Sequence, residues 1–213
     1  MLAQADFDAL PSRGTDLSGR WQLNVEKSED AEQALEERLE EEWRRYARWR
    51  RADEEERRAR NLPPEPGTME RPPVNPERRM RPWQRRQQES FRKMLAITSW
   101  LEIRQSGPKV EIVSDVESRR FEAGSRTQVS MPEGQLAEQR VGWDGDRFVI
   151  ERRVRHGPRI IEKYRLLEKT SQLEYVLTVG GDTELAGIKL KRIFDRAPAE
   201  ALPPDPDVGP VYR

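Results

Sequence analysis

The sequence predicts a mainly β protein, an antiparallel meander closing into a barrel, with a long charged α-helical insertion after the first strand. Three observations carry this. From Thr98 to about Arg196, apolar side chains recur at every second position between short turn signals, the pattern of half-buried strands. Asp144-Gly145-Asp146 sits between two such runs as a hairpin turn. Between Glu29 and Arg60 the pattern changes to Glu, Arg and Ala with charges paired four residues apart, the pattern of a solvated helix.

With 34% hydrophobic and 37% charged residues, the 213-residue chain is lean for a compact fold, so part of it is expected outside the core. Residues 1–15 read as a flexible N-terminus. Ala3 and Ala5 fit the small residues before a signal-peptidase cut, although the charged and apolar regions of a leader are missing, and an ordinary chain start fits as well. Residues 16–26 hold a lone strand with Trp21, Leu23 and Val25 on one face, whose partner must be remote. Residues 27–97 form the insertion. Ser28 is placed to cap a helix that begins at Glu29 and, uninterrupted, would run roughly 50 Å. Such a helix must project from a small barrel or break near Arg51 to Glu54. Asn61 to Pro82 holds seven of the sixteen prolines and reads as an extended connector, and Trp83 to Ala96 as a second helix. Residues 98–196 supply about eight more strands, and 197–213 read as a disordered tail rich in Pro and Asp.

The hairpin from Gln135 to Arg155 fixes a register. A two-residue loop at Gly145-Asp146 pairs Trp143 with Phe148, Val141 with Ile150 and Gln139 with Arg152. Further on, a turn around Ser106-Gly107 pairs Leu101 and Ile103 with Val110 and Ile112, and one centred on Gly157 pairs Arg152 with Glu162. A loop near Thr183-Glu184 sets Tyr175 beside Arg192. Arg152, Glu162 and Arg192 thus fall on the interior face. A buried charge without a partner is costly, so these groups are expected to form one linked polar cluster. It serves either as a structural ion pair or as the anchor for a ligand's polar end.

Leu17-Ser18-Gly19-Arg20-Trp21-Gln22-Leu23-Asn24, the Trp143-Asp144-Gly145-Asp146 hairpin, Glu162-Lys163-Tyr164-Arg165-Leu166 and the closing Phe194-Asp195-Arg196-Ala197 resemble a family of bacterial exported lipocalin-like proteins of uncharacterised function. The Gly19-x-Trp21 strand also looks like the wider calycin superfamily. There the Trp packs under an Arg near the end of the last strand, for which Arg192 is the first choice and Arg196 the second. The resemblance implies a lipocalin-like barrel and export to the periplasm or beyond, and no established reaction. The residues themselves leave a cytoplasmic setting open.

The chemistry left to the chain is narrow. Lys and Arg balance Asp and Glu at 39 each, which gives no net field for nucleic acid, and no apolar run reaches membrane-spanning length. No cysteine is present, and the single histidine, His156, falls in a turn, so neither a metal nor another cofactor is expected. Alternation puts Glu151 and Glu174 outside and Glu162 alone inside, beside an arginine that lowers its pKa, which suits an ion pair rather than a general acid. Enzymatic activity is therefore not expected. The leading expectation is binding of a small, partly apolar ligand. Trp21, Gln139, Trp143, Phe148, Ile150, Tyr164, Tyr175 and Arg192 would contact it, and Arg152 and Glu162 would orient its polar end. The competing expectation is a protein-interaction or structural module of the cell envelope. In it the barrel is filled by its own side chains, and Trp43, Tyr46 and Trp49 of the charged helix form the working surface, unless they pack on the barrel.

Overall fold

A computed structural model describes residues 7–61, 98–131, 134–183 and 185–198. Ten strands form one antiparallel sheet: β1 (Gly19–Leu23), β2 (Trp100–Ser106), β3 (Lys109–Ser114), β4 (Ser118–Glu122), β5 (Ser125–Ser130), β6 (Leu136–Asp144), β7 (Arg147–Val154), β8 (Pro158–Leu167), β9 (Gln172–Gly181) and β10 (Lys189–Arg196). The order is β4-β3-β2-β1-β10-β9-β8-β7-β6-β5. The remote partners of the first strand are thus β2 and β10, one on each side.

The sheet rolls into a nearly closed barrel. It does not remove its edges, as the count of strands alone suggested: β4 and β5 are consecutive in the chain but share no ladder. A seam is left between them. At one end the seam is closed by the β4–β5 turn itself, whose Gly124 N–H donates to Val141 O of β6 at 2.8 Å. Before the start of β5, the free edge of β6 is taken by the N-terminal segment. Asp8 and Trp143 exchange backbone hydrogen bonds at 2.8 and 3.0 Å. Gly142 permits this approach, since a Cβ there would lie 2.6 Å from Phe7 Cβ. Part of the stretch read from sequence as flexible is therefore held to β6 and its hairpin, by an isolated bridge at Asp8 and by the Ser12 N–H, which donates to Gly145 O at 3.1 Å.

The central hairpin has the predicted register and turn, with Gly145 at φ 67° in the loop. Two other turns differ. The β2–β3 loop is Gly107-Pro108, so Ile103 faces Ile112 and Gln105 faces Val110. Proline cannot donate to a ladder, which moves the turn one position along. The β7–β8 turn takes three residues, with His156 at φ 55°, so Glu162 pairs with Ile150 and Arg152 with Ile160. Tyr175 does face Arg192, across a loop wider than expected.

The insertion opens with a 3-10 turn, Val25–Lys27, and continues as one unbroken helix, α1 (Ala31–Ala59), about 44 Å long. It does not break near Arg51. Its cap is Asp30, whose carboxylate accepts from the Gln33 N–H at 2.9 Å. Ser28 is diverted to β10, where its Oγ accepts from the Ile193 N–H at 3.0 Å. The first turns of α1 cover one end of the barrel: Ala31 packs with Ile160, Leu177 and Leu190, and Leu35 with Val179, Leu185 and Ile188. Further along, Tyr46 and Trp49 are 51% and 60% exposed. The connector beyond Asn61, the helix read at Trp83 to Ala96 and the tail from 199 lie outside the described residues. So does the side chain of Trp43.

Candidate functional site

The barrel interior divides in two. In the closed half, Leu17, Trp21, Ile103, Val110, Phe121, Val141, Trp143, Phe148, Ile150 and Leu173 belong to one buried core cluster. The aromatic rings are in mutual contact there, Trp143 with Phe148 at 5.4 Å and Phe121 with Phe148 at 6.1 Å between centroids. Trp21, Trp143, Phe148 and Ile150 were expected to contact a ligand. The structure sets them instead inside this packing, each at most 1% exposed and outside the lining of the cavity of the open half.

Trp21 is held from two sides. Its Nε1 donates to Leu17 O at 3.1 Å, and the Arg196 guanidinium lies 4.7 Å above its ring. The arginine that covers it is thus Arg196 and not the first choice, Arg192. Register explains the difference, since Trp21 pairs directly with Arg196, while Arg192 sits four residues away, about 13 Å along the strand.

The open half contains a cavity of about 910 Å³. Its apolar wall comes from Leu101, Ile112, Val129, Met131, Val154, Ile160 and Phe194. Of the ten residues expected to contact a ligand, Gln139, Arg152, Glu162, Tyr164, Tyr175 and Arg192 line it. His156 lies at the rim, exposed on its turn, and among the described residues no group of three or more His, Asp or Glu could hold a metal.

Glu162 is the centre of the polar cluster. Its two carboxylate oxygens accept from Arg119 Nη1 and Nη2 at 2.8 and 3.0 Å. Arg152 Nη2 approaches at 3.1 Å, and the Tyr164 and Tyr175 hydroxyls donate at 3.1 and 3.5 Å. Arg152 is steadied in turn by Gln139 Oε1, which accepts from its Nε at 3.2 Å. The predicted Arg152–Glu162 link therefore exists, although the two residues are diagonal rather than directly paired. Burial alone would raise the pKa of Glu162. The charges of Arg119 and Arg152, with the hydrogen bonds from Arg119 and Tyr164, bring it down to about 2. Tyr164 and Tyr175 are pushed well above the ordinary phenol range, by burial first and by the neighbouring carboxylate second. Arg119 is held more firmly protonated by Glu162 despite its burial. Burial moves Arg192 the other way, below the usual guanidinium value.

Such a cluster has an ionised carboxylate, protonated phenols and cationic guanidiniums at neutral pH, and so no group poised to exchange a proton there. It can present fixed donors to a polar end group. Arg119 is the residue that sequence reasoning missed. It stands two positions before the buried Phe121 and therefore on the same strand face, which is the signal that finds it. Glu151 and Glu174 do point outward, but Glu151 is only 3% exposed. It meets Arg159 Nε at 2.7 Å and Arg140 Nη1 at 3.8 Å in a second, external ion cluster.

No model of a known family matches the chain, and no curated protein matches it in sequence. Among solved structures, the chain is similar to apo lipid binding protein 8 of Caenorhabditis elegans, with 14% identity over 86% of this chain and 99% of that one and a TM-score of 0.46. It is also similar to a REP1-NXSQ fatty acid transporter, with 15% identity, 87% and 98% coverage and a TM-score of 0.46. Human cRBP IV follows at 14% identity, 86% and 99% coverage and a TM-score of 0.44. With TM-scores this low, the functional reading rests on the cavity's own residues.

Proposed function

We propose that this protein binds a small, partly apolar molecule in the open half of its barrel and performs no chemistry on it. The observation that carries the reading is the cavity of about 910 Å³, in which an apolar wall surrounds one converging set of polar groups. That size and that mixture suit a ligand site. Arg152 and Glu162 orient the polar end, Tyr164 and Tyr175 add ring contact, and Ile160, Val129 and Met131 meet the apolar part. The setting proposed with it is the bacterial cell envelope, which the sequence resemblance implies and fractionation of the native host tests.

Native mass spectrometry of the protein purified from its own host, followed by organic extraction, tests the binding itself. A reproducible extra mass lost on denaturation is the expected result. A bare chain that also fails to bind the apolar anion 1-anilinonaphthalene-8-sulfonate would sink the reading. A second reading, a contact surface for another envelope protein on α1, is favoured by the exposed Tyr46 and Trp49, whose rings lie 5.9 Å apart. Its companion idea, a barrel filled by its own side chains, fits the closed half alone.

A further inference from the structure

The polar cluster is fastened to an edge of the sheet. Strand β4 is hydrogen-bonded to β3 on one side, and no described strand pairs with its other side. Toward the closed half, β4 is anchored regardless, because Phe121 packs on Phe148 and Gly124 is bonded to Val141. Toward the cavity mouth the described ties to the opposite wall run through Arg119. Two of them reach Glu162, at 2.8 and 3.0 Å, and one reaches the Tyr164 hydroxyl, at 3.0 Å, both residues on β8 across the interior. Arg119 Nε also meets Glu117 at 3.1 Å, within its own hairpin, which aims the guanidinium without tying it to a wall.

The residues that flank this edge face the cavity. Ser114, Val116 and Glu117 line it from the β3–β4 hairpin, and Val129, Ser130 and Met131 from the β5 side. No described side chain of α1 lines it. The start of α1 is instead fastened down. Ala31 and Leu35 are buried against β8, β9 and β10, Arg38 Nε donates to Ala186 O at 2.6 Å, and the Lys191 N–H donates to the Glu29 carboxylate at 2.7 Å. Swinging the tip of the β3–β4 hairpin outward breaks no ladder on the seam side, whereas lifting α1 uncovers an apolar surface.

We propose that the ligand enters and leaves through the seam between β4 and β5, and that Arg119 is the strut, bonded to Glu162, that sets how far the seam opens. The proposal rests on the reading of the cavity as a ligand site. The covered end of the barrel is then a fixed plug, and α1 is no lid.

Arg119→Met tests the strut. Methionine keeps an apolar stem of similar reach, and Glu162 retains Arg152 and the Tyr164 hydroxyl, each at 3.1 Å. Arg38→Met loosens α1 for comparison. Hydrogen exchange followed by mass spectrometry, and stopped-flow association of 1-anilinonaphthalene-8-sulfonate, are read on the full chain. In Arg119→Met, amides of residues 110–120 exchange about tenfold faster or more, as loss of a charge-assisted bond predicts, while those of 141–150 do not change. Probe association accelerates in Arg119→Met and not in Arg38→Met. Unaltered exchange in the hairpin, or acceleration by Arg38→Met alone, overturns the proposal. A wild-type chain that binds no probe overturns the cavity reading and the entrance together, whereas a bound probe with an unaltered hairpin overturns the entrance alone.

Discussion

In the closed half of the barrel, Trp21, Trp143, Phe148 and Ile150 are buried in one core cluster and are absent from the cavity lining. In the open half, the same strands supply Gln139, Arg152, Glu162, Tyr175 and Arg192 around an open space. Both halves are written with the same alternation. What separates them is the height of each residue along the barrel axis, which depends on strand tilt and register as well as on which face a residue occupies. One row of directly paired residues shows it: Trp143, Phe148, Tyr164, Tyr175 and Arg192, in order across β6 to β10. It begins in the aromatic core, with centroid separations of 5.4, 6.5 and 5.0 Å between successive rings, and ends at a cationic group that lines the cavity. The ring row has thus climbed from core to cavity within five strands.

The sharpest way to separate the halves is to remove the largest side chain of the closed one. Trp21→Ala deletes a ring with no exposed surface, its hydrogen bond to Leu17 O and the platform under Arg196. Loss of about 3–5 kcal/mol in urea unfolding is expected. A loss below about 1 kcal/mol would mean that the closed half is not the stabilising core.

That outcome also marks what could be read before folding. Register was read correctly at the Gly145-Asp146 hairpin, and alternation alone placed Arg152, Glu162, Tyr175 and Arg192 inside even where the neighbouring turn differed from expectation. Height failed. Nothing in the spacing of Trp143 and Phe148 distinguishes a residue under the cavity from one beside it, because height is set by pairings with strands remote in sequence. Arg196 was ranked second for the same reason, since the β1–β10 register joins residues 175 positions apart. The open seam was illegible too, because counting strands toward closure assumes that each pairs on both sides.

Acid titration tests the open half. The carboxyl of Glu162 drops from 4.5 to about 2 on folding, so the unfolded chain takes up a proton that the folded chain refuses. Its contribution, about 3 kcal/mol, is present in full above pH about 4.5 and is lost as the pH falls toward about 2. Glu162→Gln should therefore be less stable than the wild type at pH 6, with the gap closing toward pH 2 in guanidinium unfolding. A gap that stays constant with pH would show that the carboxylate's charge is not what the cluster uses.

The smallest effect is expected on α1, where the same contrast recurs along one helix. Leu35 is 1% exposed and closes the barrel end, while Tyr46 and Trp49, about 17 and 21 Å further along the helix axis, have more than half their surface exposed. Their ring centroids lie 5.9 Å apart. Trp49→Ala should change unfolding free energy by less than about 0.5 kcal/mol, as surface substitutions do. Neutrality here would fit a role for Trp49 in association rather than in folding. A loss of about 2 kcal/mol or more would instead place Trp49 in a packed contact and remove the helix from consideration as a partner surface.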